Sequence, residues 1–375
     1  MNNQKISICI ILGTKAELIK SFPILKELSK QKTPFYFIST GQHNLFDLCE
    51  TFGVKQPDVT LSLPPKSGSK FNTKESKAIK WALGMIFKIR GELKKLPNLK
   101  FVIYHGDTLS TSCASLSSSK LLNPFKKYKN VHLEAGLRSI GESNPLLEPF
   151  PEEIIRRIVT FFSDILIVPS KQAELNLKKY KNKEIYNLGN TILDSVDLAS
   201  KIAQKRDLKP FGNKFALINI HRHENLKSKE RLSKIVEILL SLEISSYFPI
   251  HSNTKKQLIK FGLYSKLLEN KKIKIIEPMD YSSFIYQLSQ SDIILVDGGS
   301  LQEESLIFQK PCVILRMNTE RPEGLEFNFQ YLSRLDVEKT KSKIQEYLNP
   351  DFKIKNPYGE VGVSERIVNL LSKPQ

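Results

Sequence analysis

Carboxylates and histidines in this chain gather where short apolar runs end. KNVHLEAGLRS closes one such run on His132 and Glu134, and FPEEIIRR opens a helical period on Glu152 and Glu153. HGDTLSTSCASL puts Asp107 at the tip of another run. In an open α/β sheet the carboxyl ends of strands and the N-termini of the helices that follow them face one crevice, where ligands bind. Crowded carboxylates in such a place hold one pKa up and leave another ionised, which supplies a general acid and a general base at neutral pH. Asp107, Glu134 and Glu152 are therefore candidate proton-transfer groups, although Asp107 taken alone serves equally well as a helix cap.

All six histidines, His43, His105, His132, His221, His223 and His251, fall at expected strand ends. A lone histidine there is usually a structural hydrogen bonder, but six of six point to a polar cleft. A metal site is not expected, because His221 and His223 alternate and no HExxH helix is present. DIILVDGGSLQEES reads as a strand, a glycine turn and a helix N-terminus, so Gly298, Gly299 and Ser300 can hold a phosphate with backbone N–H groups. Glu304 lies inside that helix, where a carboxylate can take two ribose hydroxyls. RMNTERPEG follows the next strand and offers Arg316 and Arg321 as guanidinium forks for phosphate oxygens. The P-loop and GxGxxG fingerprints are both missing, which argues against ATP hydrolysis and nicotinamide redox chemistry.

Positioning these groups requires βα units. The first half gives strands at ISICIILG, FYFIST, KFVIYHGD, NVHLEAG and DILIVPS, with helices from Glu17, His43, Thr73, Thr108, Glu152 and Lys171. The second half gives IYNLGN, FALINIHR, YFPIHSN, IKIIEP, DIILVDGG and PCVILR. Alternation of this kind is the signature of parallel sheets, here two doubly wound domains in tandem. The expected join lies near Pro169 to Lys171. That gives domains at 1–170 and 171–359, and a C-terminal helix at 360–375 packing back on the first.

Composition agrees with that reading. A chain of 375 residues exceeds the size at which one core stops growing, and 40% hydrophobic with 26% charged residues is ordinary globular content. The net charge of +18 comes from lysines scattered over surface segments such as LKKYKNKE, without a nucleic-acid motif or aromatic interleaving. No nucleic-acid partner is expected, and the field attracts a small anionic substrate. No run reaches the roughly 18 apolar residues of a membrane span, and ISICIILG is too short for a signal peptide. A cytoplasmic protein follows. Cys9, Cys49, Cys113 and Cys312 show no CxxC spacing and read as buried, inert thiols.

Together these segments resemble the UDP-N-acetylglucosamine 2-epimerases of the non-hydrolysing type. The matching pieces are GTKAELIK, TGQH, HGDT, HLEAGLRS with FPEE, GNTILD, HRHEN, DYSSF, DGGSLQEES, TERPEG and NPYGEVGVSERI, in the family's order from Gly13 to Ile367. The resemblance implies the GT-B architecture, two Rossmann-like doubly wound parallel-sheet domains with an interdomain cleft. It implies reversible inversion at C2 of UDP-GlcNAc to give UDP-ManNAc, by elimination of UDP to a 2-acetamidoglucal and re-addition, without a cofactor or metal. It also implies a homodimer and a place in polysaccharide biosynthesis.

Carried over by motif position, Asp107, Glu134 and Glu152 become the acid/base group and His221 a diphosphate partner. Lys15, Gly298, Gly299, Ser300, Glu304 and Arg321 become UDP contacts, and Phe284 stands beside the uracil. Lys20 and Gln42 lie near the sugar or the N-terminal wall, with His43, Arg138 and His251 completing the substrate site. Three features depart from the family pattern. GTRPE is GTKAE here, so Lys15 replaces a bidentate Arg with a point charge, and Ala16 replaces a proline. SGG is displaced to Gly298, Gly299 and Ser300, and the SIGESNPLLEPFP loop is long. A hydrolysing epimerase, a GT-B glycosyltransferase and an inactive sugar-nucleotide-binding protein are the competing readings. Retention of three carboxylates disfavours the last.

Overall fold

A computed structural model describes residues 6–63, 75–141, 152–348 and 354–372. The expected helix start at Thr73 and most of the loop before Glu152 lie outside the described residues. The chain divides into two compact units: residues 1–138, 150–195 and 358–375, then residues 139–149 and 196–357.

The first unit is built on seven parallel strands: β1 (Ile8–Leu12), β2 (Phe35–Ser39), β3 (Val59–Thr60), β4 (Phe101–His105), β5 (Lys129–Leu133), β7 (Ile165–Val168) and β8 (Glu184–Asn187). Their order is β3-β2-β1-β4-β5-β7-β8. ICIIL, FVIYH and ILIV are buried along their whole length, as strands covered by helices on both faces must be. The order reverses between β1 and β4, so the connections leave to opposite faces there and open a crevice at the carboxyl ends of those two strands. Gly13 and Asp107 stand at that point.

The second unit carries β9 (Phe215–Asn219), β10 (Ser245–Pro249), β11 (Ile273–Ile276), β12 (Ile293–Val296), β13 (Cys312–Ile314) and β15 (Gln330–Leu332). These form a parallel sheet in the order β11-β10-β9-β12-β13-β15. Its reversal falls between β9 and β12, which places His221 and Gly298 at the corresponding crevice. The short β6 (Ile140–Gly141) also belongs to this unit, where it pairs antiparallel with β14 (Asn318–Thr319).

Local pattern assigns IYNLGN to the second half, and the structure corrects this. β8 pairs with β7 at the edge of the first sheet, Ile165 against Glu184 through Val168 against Asn187. The unit boundary falls after Ser195, inside the helix Ile192–Gln204. A crossing made within a helix leaves no Gly/Ser linker to read, which is why composition put it near residue 170.

Residues from 358 onward return to the first unit. The helix Val363–Ser372 buries Val363, Ile367, Val368 and Leu371 and packs against the helix Lys15–Lys30. Its start is held from a distance. The Asp194 carboxylate accepts the backbone N–H groups of Gly362 (2.6 Å) and Ser364 (2.7 Å), which the helix itself cannot satisfy. Arg366 donates to the carbonyls of Leu188 (3.1 Å) and Glu360 (2.9 Å). Among the described residues no helix is long and apolar enough to cross a membrane.

Removing the Asp194 cap leaves two amide donors short of a charged acceptor, at about 1–3 kcal/mol. We therefore expect Asp194→Ala to lower the thermal midpoint by a few degrees, at roughly 2–4 °C per kcal/mol, and to speed proteolytic clipping near residues 358–372. An unchanged midpoint and unchanged clipping would show that the latch carries no stability.

Candidate functional site

At the crevice of the first unit β1 ends at Leu12, and Thr14 caps the helix that opens on Lys15. The Lys15 side chain is exposed, and its backbone N–H donates to Nδ1 of His43 (3.2 Å). The His43 N–H in turn donates to the Gly13 carbonyl (2.8 Å). Gln42 accepts from the Ser110 hydroxyl (2.7 Å). Lys15, Gln42 and His43 thus hang on one backbone junction. Burial and then the Lys15 charge depress the His43 pKa.

β4 and β5 both end in left-handed turns. Gly106 has φ +72° and Glu134 φ +61°. A non-glycine residue in that region is strained, and such strain concentrates at functional positions. Nζ of Lys20, itself buried, forms an ion pair with Oε1 of Glu134. His105 Nδ1 lies 3.8 Å from the other Glu134 oxygen. His105 and His132 are both pushed down to about 4, chiefly by burial, so each is a neutral imidazole at physiological pH. His132 Nε2 donates to the Gly106 carbonyl (2.8 Å), which fixes the turn that carries Asp107. Its Nδ1 is buried without a hydrogen-bond partner.

Asp107 is oriented by Arg156, whose Nε and Nη2 stand 2.8 and 2.7 Å from Oδ2. Arg156 also donates to Glu153 (3.2 Å), and Glu153 lies 3.2 Å from Arg157 and 3.8 Å from Arg138. Arg138 donates to the Leu137 carbonyl (2.6 Å). Glu152 is half-buried at the first position of the helix Glu152–Phe162, one turn before Arg156. Asp107 and Glu134 thus follow paired strands, and Glu152 shares a helix with the arginine that grips Asp107.

In the second unit the buried Asp297 organises the HRHEN segment. It accepts the backbone N–H of His221 (2.9 Å), that of Arg222 (2.9 Å) and the Asn225 amide (3.1 Å). Nδ1 of His221 is engaged by Asn219 Oδ1 (2.7 Å), an acceptor, which leaves Nε2 as the nitrogen that can meet a ligand. The His251 ring stands edge-on to it at 5.4 Å. Gly298 caps the helix Gly299–Ile307 with φ −77°. The glycines thus serve close approach rather than an unusual turn. A Cβ on Gly299 would sit 2.3 Å from Arg321 Nη1, and one on Gly298 would sit 3.1 Å from His221 Cε1. The free N–H groups of Gly299 and Ser300 remain as anion donors.

Glu304 is buried and accepts the Tyr281 hydroxyl (2.8 Å), so one of its oxygens already has a partner. Burial and the adjacent Glu304 hold the Tyr281 phenol well above its ordinary pKa. Phe284, one turn further along the same helix, packs half-buried against the cluster that contains Leu288, Ile294 and Val296. Arg321 is bonded to Glu320 (2.6 Å) and lies 2.9 Å from Glu303. Arg316, expected as a second phosphate fork, is likewise buried, at 2.9 Å from Glu320 and 3.8 Å from Glu224. Glu320 lies four residues on in the same segment, while Glu224 is brought in only by the fold.

Sequence reading missed Arg156, Asn219, Asp297 and Tyr281, and it took Glu17 and Glu153 only as residues of helix starts. Arg156 had a legible signal, since it lies four residues after Glu152 on one helix face. Asp297 reads only as the residue before the glycines, and its three bonds to HRHEN are long-range. All four cysteines are buried and unpaired. Among the described residues no group of three His, Cys, Asp or Glu side chains is placed to hold a metal ion.

The family profile of UDP-N-acetylglucosamine 2-epimerase matches residues 26–372. The Methanocaldococcus jannaschii UDP-N-acetylglucosamine 2-epimerase is 36% identical over 378 residues, covering 97% of this chain and 98% of that protein. Its crystal structure in complex with UDP-GlcNAc and UDP superposes with a TM-score of 0.84 at 34% identity, over 98% of this chain and 99% of that one. The Neisseria meningitidis enzyme bound to UDP-GlcNAc gives 0.81 at 26% identity, over 98% and 100% of the two chains. A Pseudomonas aeruginosa UDP-2,3-diacetamido-2,3-dideoxy-D-glucuronate 2-epimerase is 30% identical, over 98% of this chain and 99% of that protein. With two parallel-sheet domains of the GT-B type and a family profile spanning nearly its whole length, the chain belongs to the UDP-N-acetylglucosamine 2-epimerase family.

Proposed function

We propose that this enzyme interconverts UDP-GlcNAc and UDP-ManNAc without hydrolysis. The observation that carries the reading is that Asp107 and Glu134, held by Arg156 and Lys20, stand just beyond the ends of the paired strands β4 and β5, which finish in the neutral His105 and His132. The C2 proton of the sugar is not acidic enough for simple exchange. A carboxylate takes it, the C–H electron pair becomes the C1=C2 bond, and the C1–O bond breaks toward UDP. Return of a proton to the opposite face of C2 and attack of the UDP oxygen at C1 complete the inversion. Asp107, Glu134 and Glu152 supply the proton transfers. His221 Nε2, the N–H groups of Gly299 and Ser300, Lys15 and Arg321 stabilise the leaving diphosphate. Glu304 and Phe284 hold ribose and uracil, while Lys20, Gln42, His43, Arg138 and His251 complete the substrate contacts. The P. aeruginosa relative supports a second reading, a substituted UDP-hexosamine as substrate of the same chemistry.

Turnover in heavy water should place deuterium at C2 of both recovered UDP-sugars, read by NMR or mass spectrometry. Epimerised product without label would sink the elimination route. Release of free sugar would favour a hydrolysing enzyme. Asp107→Asn and Glu134→Gln should each cost about a hundredfold or more in rate if the groups move protons. Near-normal turnover would return that residue to a structural role.

The cytoplasm is the setting that this reading implies, and a second copy of the chain is the proposed partner. Exposed apolar side chains line two helices of the first unit: Ile79, Leu83 and Phe87 at a spacing of four on Glu75–Leu93, and Ile154, Ile158 and Phe161 on Glu152–Phe162. Both helices pack against Leu109–Ser117, and Leu121 and Phe125 follow it, also exposed. A Phe carries roughly 150–250 Å² of surface, so the eight residues offer area on the order of the ~800 Å² that each partner of a standard interface buries. Sedimentation should therefore give a dimer, and Phe87→Lys with Phe161→Lys should give a monomer. A monomeric wild type, or a doubly substituted dimer, would overturn the assignment of this face.

A further inference from the structure

Glu17 is 3% exposed and has no part in the roles proposed above. Its two carboxylate oxygens face different elements. Oε2 accepts the backbone N–H groups of Gly13 (2.5 Å) and Thr14 (3.0 Å), closing a capping box at the start of Lys15–Lys30. Oε1 accepts the Thr108 hydroxyl and the Thr111 hydroxyl (3.1 Å). Thr108 is itself the N-cap of Leu109–Ser117, where its hydroxyl accepts the Thr111 N–H (3.2 Å). A capping-box glutamate ordinarily serves its own helix. This one ties together the caps of the two helices that leave β1 and β4, the strands at the order reversal.

The junction has little slack. A Cβ on Gly13 would stand 1.9 Å from the Ser110 hydroxyl and 2.5 Å from that of Thr40. Ser110 and Thr40 bond each other (2.8 Å), and Ser110 holds Gln42. Lys15 follows Thr14 directly, and Asp107 precedes Thr108 directly. Burial raises the Glu17 pKa, while the bonds from Thr108, Gly13, Thr14 and Thr111 pull it down. A cap of one helix alone could be made at the surface, without the cost of desolvating an acid.

We infer that Glu17 is a positioning residue, which fixes Asp107 and Lys15 relative to each other through the linked caps of their helices. The inference rests on the epimerase reading for its activity readout. Glutamine keeps the length, can offer its oxygen to the two amides and can donate to the threonine oxygens. Alanine removes every bond.

The test compares kcat and KM of Glu17→Ala, Glu17→Gln, Thr108→Val and the Glu17→Ala/Thr108→Val pair, each measured on folded protein well below its thermal midpoint. Alanine should lower kcat by about ten- to a hundredfold, the scale of a small misplacement of reacting groups. Glutamine should restore most of the loss. The double variant should be no slower than the worse single one, since both break the same link. Wild-type kcat in folded Glu17→Ala, additive losses in the double variant, or Gln as slow as Ala would each overturn the inference, the last by pointing to the charge itself. If Glu17→Ala does not fold, Thr108→Val and Glu17→Gln decide: a slow Val variant with a competent Gln variant supports the link, and any other pattern overturns it. A wild type inactive on UDP-sugars would refute the epimerase reading instead. Amide exchange then judges the inference, because Glu17→Ala or, if that variant is unfolded, Thr108→Val should speed exchange at residues 13–17 and 106–111 together, and acceleration confined to one segment would overturn it.

Discussion

Parallel pairing governs this molecule. A parallel strand can return to its sheet only through a crossover, so every strand delivers its carboxyl end, and the N-terminus of the next helix, to the same edge. With the order reversed between β1 and β4, and again between β9 and β12, the edge opens at one place in each unit. The candidate site residues stand at those two places: Lys15 and Asp107 in one, His221 and Gly298 in the other. Backbone N–H groups freed at helix starts and side chains released from strand ends meet there without further design.

The second recurring feature is that charge at the candidate site is held by opposite charge. Lys20 grips Glu134, Arg156 grips Asp107, and Arg321 is bracketed by Glu303 and Glu320. A buried pair of this kind contributes little net stability, yet removing one partner strands the other at a cost of several kcal/mol. What the pairs supply is orientation, because a carboxylate gripped by a guanidinium cannot swing. The neutral histidines behind Glu134 and Asp107 add shape without adding charge. Glu134 is held in a left-handed backbone as well, so its side chain is constrained from both ends.

How much of this was legible in the sequence depended on range. Buried parallel strands announce themselves as unbroken runs such as ICIIL and ILIV, and the residues after them follow at once, which is why Asp107, His221 and the glycine turn could be named. β8 was assigned to the wrong half because its partner, β7, is chosen by space and not by composition. The unit boundary hid inside a helix. Arg316 was legible with Glu320 four residues on, but its other neighbour, Glu224, arrives only through the fold. Glu17 was visible only as the start of a helix, since the threonines it binds lie more than ninety residues away.

The docking of Val363–Ser372 on the first unit has a consequence for how the chain is made. A ribosome emits residues 196–357, the bulk of the second unit, before the helix that completes the first. At about 5–20 residues per second, the surface that will receive Val363, Ile367, Val368 and Leu371 waits on the order of ten to thirty seconds for its cover. During that interval the nascent first unit presents an uncovered apolar strip along Lys15–Lys30, while the second unit folds downstream of it. Synthesis order therefore makes the earliest domain the last to close.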